Sequence, residues 1–181
     1  MGELKRNLIK RILREQLNDD SSNEIVIDDV IKKISPSDKV HMSQDPNLQF
    51  KNVDPQNQPD SFKPKGLWYS MGTEWIEFIE TAAGMGDRKK DYIYNIDTND
   101  STILTLGKEN EKMFLKKYGV KEPTMGKHYY SIDWSSVATK WDGVEILINP
   151  RELDNFWIWS TWDIASGCIW NINGIKSVRK L

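Results

Sequence analysis

Four of the chain's eight tryptophans fall within residues 156–178, FWIWSTWDIASGCIWNINGIKSV, and this crowding restricts the fold more than any other feature. Each indole removes a large apolar area from water when buried, so several together mark the edge of a core or a cleft that takes a flat ring. The same stretch holds the only cysteine, Cys168, and a single acid, Asp163. An acid among aromatic neighbours is either held by backbone donors or placed to act on a ligand. Residues 168–172 are short and apolar-rich before Asn173-Gly174, which reads as a strand running into a turn.

Composition bounds what can be built around that stretch. At 181 residues the chain suffices for one packed domain with a short helical appendage. A formal charge of −2 argues against bulk nucleic-acid binding. One cysteine rules out an internal disulfide, and two histidines beside it are too few for a protein-built zinc site. No apolar run approaches the roughly 18 residues of a membrane span. The opening MGELKR has no apolar leader, and Arg6 stands where a myristoylation motif after Gly2 wants Ser or Thr. These readings predict a cytoplasmic, intracellular monomer.

Along the chain, residues 3–17 carry leucines and isoleucines at helical spacing with a basic opposite face. That face is either simply solvated around a docked helix or a surface that recruits an acidic partner. A second helix is expected over 24–34, ended by Ser35-Pro36. Residues 1–35 therefore form a helical pair and 36–181 the main domain. Strands are expected at 39–43, 66–70, 91–96, 102–106 and 141–148, with a helix capped by Thr73, another over 108–118, and a short one capped by Asp133 or Ser131. Residues 44–65 are polar and rich in Pro, Asn and Asp, hence a long loop of the functional or disordered kind. Without a regular βαβ rhythm, the order predicts an α+β fold whose sheet is mixed, mostly antiparallel and split, with short helices.

Walker, GxSxG, HExxH and GxGxxG motifs are all missing. What the chain does carry is VHMS at 40–43, GLWYS at 66–70 leading into a helix, WDGV at 141–144, and IKSV at 175–178 on a closing strand. This arrangement, spread over residues 39–178, resembles the ADP-ribosyltransferase superfamily, including toxin-type members and the tRNA 2′-phosphotransferase branch. The resemblance implies an ADP-ribosyltransferase-like fold and NAD as substrate. It puts His41 or Ser43 at the ribose, Gly66, Trp68, Tyr69 and Ser70 under the nicotinamide, and Trp75 on the following helix. The family's usual glutamate falls nearest Ala165 or Ser166 here, so Asp163 or Glu145 would have to replace it, Asp163 being favoured.

The chemistry wants such groups. Breaking the nicotinamide–ribose bond gives the sugar oxocarbenium character, which a nearby carboxylate stabilises, while an aromatic wall holds the base. The resemblance thus points to a mono-ADP-ribosyltransferase or related NAD-cleaving enzyme acting on a protein or nucleic-acid acceptor. Each residue also has a plain reading. His41 is a satisfied structural histidine, Trp68 and Tyr69 are core, and Ser70 caps a helix. Glu145 lies on the solvent face, Asp163 caps the turn at 165–167 through Ser166 and Gly167, and Cys168 is an inert buried thiol. The alternative function is an inactive nucleotide-, RNA- or protein-binding module with a Trp-rich cleft.

Overall fold

The computed structural model describes residues 29–82, 92–121 and 130–181. The chain divides into two compact units, residues 1–34 and 35–181. In the first, residues 29–31 are helical and the amides of Lys33 and Ile34 close turns on the Val30 and Ile31 carbonyls. The helix expected over 3–17, its basic face and the first residues of the helix expected over 24–34 lie outside the described residues.

The second unit is α+β, with a mostly antiparallel sheet and a few short helices. Its strands are β1 (Lys39–Ser43), β2 (Asp60–Ser61), β3 (Leu67–Met71), β4 (Tyr92–Thr98), β5 (Ile103–Leu106), β6 (Gly119–Lys121), β7 (Tyr130–Asp133), β8 (Gly143–Ile146), β9 (Ser166–Ile169) and β10 (Ile175–Lys180). The α-helices of this unit are α1 (Glu74–Thr81), α2 (Lys108–Tyr118), α3 (Trp134–Ala138) and α4 (Phe156–Trp159). Seven strands form one sheet in the order β10-β4-β1-β3-β9-β8-β5, and β2-β7-β6 form a second. Among the described residues only the β5–β8 pair is parallel. The return from β5 to β8 passes through α2, the small sheet and α3, long enough for a parallel crossover.

Alternation along β3, β9 and β8 separates the sheet into two faces. Trp68, Cys168 and Val144 are aligned across the strands on one face, and Tyr69, Gly167 and Glu145 on the other. The first face carries the larger core, where Trp134, Trp159, Trp162 and Trp170 are buried with Phe114, Ile132 and Ile158. Neighbouring rings stand about 6 Å apart in tilted and edge-on arrangements. Burying each indole contributes roughly 4–6 kcal/mol as an upper bound.

That burial requires a partner for each indole N–H, and all four have one. Trp134 donates to the Ser61 carbonyl at 2.9 Å, Trp162 to Phe62 at 3.0 Å and Trp170 to Trp141 at 2.6 Å. Trp159 donates to Glu111 Oε1 at 2.7 Å. Glu111 is itself almost fully buried and also accepts from the Asp154 and Asn155 amides and from Asn155 Nδ2. A buried carboxylate is tolerable only with such a set of donors.

The indole bonds to residues 61 and 62 explain a departure from the expected long loop. Residues 44–65 contain a 3-10 turn at Pro55–Asn57 and the short strand β2. Gln58 pins the segment's end by donating to the Lys65 carbonyl at 2.9 Å and accepting from the Lys65 amide at 2.8 Å. At α1 the expected cap is corrected in detail. Thr73 occupies the N-cap position, but its hydroxyl donates to Glu77 Oε1 at 2.9 Å rather than capping the backbone. The helix buries Ile76 and Ile79, whereas Trp75 and Phe78 are half-buried and stacked at 5.4 Å.

Candidate functional site

Strands β1 and β3 pair only through Lys39↔Met71 and Val40↔Ser70. Beyond Val40, β1 stays with β4 as far as Ser43, while β3 stays with β9 back to Leu67. The ladder between them therefore ends at Val40, and a cleft of about 270 Å³ lies along its end. Six residues expected at the site, His41, Trp68, Tyr69, Ser70, Trp75 and Asp163, line it together with Lys63, Trp162 and Ser166.

His41 takes the place of the missing ladder. Its Nδ1 lies 2.6 Å from the Trp68 carbonyl, which can only accept, so Nδ1 carries the proton and the neutral ring keeps Nε2 as an acceptor. Burial lowers its pKa, and the Trp68 carbonyl opposes that shift.

The turn from β3 to α1 needs Gly72, whose φ of 52° is left-handed, and a Cβ there would sit 3.0 Å from Pro36 Cα. It brings α1 back across the sheet end and sets Trp75 on the cleft. Glu74 of the same helix accepts the Ala165 amide at 3.1 Å, joining α1 to the turn that bears Asp163. Burial raises the Glu74 pKa, and the Ala165 amide pulls it back. Trp68 meets Trp162 edge-on at 4.8 Å, so the aromatic floor of the cleft continues into the core. Ser70 caps no helix. It is buried, and its Oγ has no hydrogen-bond partner among the described residues.

The two acids exchange the environments expected of them. Asp163 is exposed and pairs with Lys63 Nζ at 4.0 Å. Among the described residues no backbone amide donates to it, so it caps no turn there, and the Ala165 amide goes to Glu74. Glu145, expected on the solvent face, is 3% exposed. Its Oε2 accepts from Tyr69 Oη at 2.7 Å and pairs with Lys39 Nζ at 2.8 Å, and its Oε1 accepts from Thr105 at 2.9 Å. Lys39 also donates to Thr98 Oγ1 at 2.6 Å. Burial and then the Glu145 charge drive the Tyr69 phenol far above its usual pKa, so it stays a donor.

Gly167 makes this network possible. It lies between Tyr69 and Glu145 in register, and a Cβ there would collide with the Tyr69 ring. Glu145 is thereby committed to a buried polar cluster on the sheet and does not line the cleft. Ser43 and Gly66 are also outside it. The Ser43 hydroxyl accepts the Asp45 amide at 2.9 Å, closing a turn. Gly66 is needed for close packing, since a Cβ would strike the Ile169 carbonyl and come within 2.8 Å of Cys168 Sγ. Cys168 is fully buried, and burial holds its thiol well above its usual pKa.

Sequence reasoning missed Lys63 and Trp162 as lining residues. Trp162 was visible as part of the tryptophan cluster. Lys63, between Phe62 and Pro64 in a polar segment, had no signal beyond its charge. Among the described residues no three His, Cys, Asp or Glu side chains gather as a metal site requires, and no helix is long and apolar enough to cross a membrane. Compared with protein-family models, curated proteins and solved structures, the chain matches none.

Proposed function

We propose that the cleft binds the nicotinamide half of NAD, on an ADP-ribosyltransferase-like fold. The chain is then a divergent mono-ADP-ribosyltransferase or a related NAD-cleaving enzyme, with a protein or nucleic-acid acceptor. The observation that carries this reading is the convergence of His41, residues 68–70, Trp75 and Asp163 on one aromatic-walled cleft. Its volume of about 270 Å³ is just under the roughly 300–1,000 Å³ of ordinary ligand sites, which suits a base with its sugar better than a whole dinucleotide.

Each side chain then has a task its geometry allows. Trp68 and Trp75 hold the flat base, and Ser70 offers a hydroxyl with no competing partner among the described residues. His41 Nε2 accepts from a sugar hydroxyl. Asp163, the one carboxylate lining the cleft among the described residues, stabilises positive charge developing on the ribose. Asp163→Asn is expected to abolish nicotinamide release while leaving NAD affinity within a few-fold, because the carboxylate acts on transition-state charge. Nicotinamide release and NAD titration on both proteins check this, and unchanged release would remove Asp163 from the chemistry.

One observation favours a second reading. Glu145 is committed elsewhere and Asp163 lies exposed at the rim beside Lys63, an arrangement also suited to binding without cleavage. NAD binding by the wild-type chain with no nicotinamide release would select this binding-module reading.

A further inference from the structure

The larger sheet ends on one side at β10, and no described strand pairs with the outer side of β10. Its inner side is held by β4. The register runs regularly from Ser177↔Asp97 to Lys180↔Tyr94, and the Leu181 amide donates to the Ile93 carbonyl at 2.9 Å. Bonded and non-bonded pairs alternate along an antiparallel ladder, so Leu181, Arg179 and Ser177 turn their backbone groups toward β4. Val178 and Lys180 therefore turn their amides and carbonyls outward. The opposite edge, β5, is shorter, and Ile103 and Leu106 at its two ends are buried.

Residues 176–180 of β10 are all exposed. Lys176, Arg179 and Lys180 are cations, and no acid lies among them. Among the described residues none of the three pairs with a carboxylate, while Lys180 Nζ stands 4.1 Å from the centre of the Tyr92 ring. Asp97, opposite Ser177, and Asp100, within electrostatic reach of Lys176, belong to β4 and the turn after it, so the positive charge lies on the outer strand. Val178 keeps 42% of its surface exposed between Ser177 and Arg179.

Cations on an edge strand discourage a second copy, because like charges would meet across the new pair. The same cations favour a strand that carries carboxylates. The length of β10 matches an ordinary strand, and no proline interrupts it. We propose that β10 is a docking edge for an acidic segment of a partner protein, which joins the sheet as an added antiparallel strand. The segment exchanges hydrogen bonds with the Val178 and Lys180 backbone, covers the Val178 side chain and brings carboxylates to the three cations. β4 separates this edge from β1 and its cleft, so the site is independent of the nicotinamide reading.

The test is amide hydrogen exchange, read by NMR on the full chain, with the capped peptide Thr-Glu-Glu-Val-Thr-Glu-Thr. Paired antiparallel, its first two glutamates face Lys180 and Arg179, and its valine faces Val178. Saturation with the peptide should slow exchange at the Val178 and Lys180 amides by about tenfold or more, while Ser177 and Arg179, already bonded to β4, change little. Two counterparts should give no protection: one with lysine for each glutamate, and one N-methylated at valine, which cannot donate to the Val178 carbonyl. Arg179→Gln combined with Lys180→Gln should weaken binding of the acidic peptide by about tenfold. Absence of protection by the acidic peptide, equal protection by either counterpart, or unchanged affinity in the double variant would overturn the proposal. Val178 and Lys180 amides that are protected without peptide, increasingly so at higher protein concentration, would give the edge to a second copy and overturn it as well.

Discussion

Asp163 and Glu145 are the same kind of group in two opposite settings, and the contrast separates site from scaffold. Glu145 is buried in the sheet, where three side chains, Tyr69, Thr105 and Lys39, satisfy it. Every lone pair engaged there is unavailable to a ligand. Asp163 stands on a turn at the cleft, exposed, with a single loose ion pair among the described residues. A residue already saturated by its own protein stabilises the fold, whereas one poorly matched within the fold is free to be matched by something else.

The largest effect expected from breaking this contrast is at Glu145. Glu145→Ala would leave the largely buried Lys39 ammonium with only the exposed Asp100 carboxylate at 3.4 Å, and chemical denaturation should show a loss toward the lower end of about 3–5 kcal/mol. A loss under about 1 kcal/mol would mean that the cluster carries little of the fold. Gly167→Ala comes next. The added methyl would press on the Tyr69 ring and push its hydroxyl from Glu145, costing about 1–3 kcal/mol in the same measurement.

His41 adds a pH dependence on the cleft side. Its pKa is lowered in the folded state, so below the unfolded value of about 6.5 the unfolded chain binds the extra proton. Stability should therefore fall as pH drops through 6.5 and level off below the lowered folded value. His41→Asn should flatten that part of the profile. An unaltered pH profile in this variant would show that the ring titrates normally.

The smallest stability effects are expected at Asp163 and Ser70. Asp163→Asn should shift stability by no more than about 0.5 kcal/mol, since it loses only a surface pair. Ser70→Ala removes a buried hydroxyl with no partner among the described residues, so melting should be unchanged or slightly raised while affinity for a nicotinamide ligand falls. A clear loss of stability at either position would move that residue from the site to the scaffold.

Much of the architecture was written locally. The 3.6 period of residues 108–118, closed by Gly119, gave α2 with the ends it has in the structure, and the alternation at 39–43 gave β1. Asp133 was legible as one of two candidate caps beside Ser131, and its side chain accepts the Ser136 amide three residues on, at 2.9 Å. Such features depend on neighbours in sequence. The tryptophan cluster was equally visible, yet its division was not. Trp159, Trp162 and Trp170 are buried while Trp157 is 55% exposed, and only the packing around each ring decides that.

What the sequence determined by itself is therefore the α+β class, the strands and helices near residues 39–43, 66–70, 92–106, 108–118 and 143–146, and the group of residues at 66–75 that could serve a ring-binding site. Tertiary structure alone decided which acid faces the cleft. The fate of Glu145 depends on Tyr69, Thr105 and Lys39, which lie 76, 40 and 106 residues away along the chain. It depends too on the missing side chain at Gly167 that lets the tyrosine cross β9. Lys63 likewise lines the cleft on a segment whose Ser61 and Phe62 carbonyls are fixed by two buried indoles. Solvation and partner geometry are set by groups that meet only after folding, so no local pattern around an acid or a lysine can encode them.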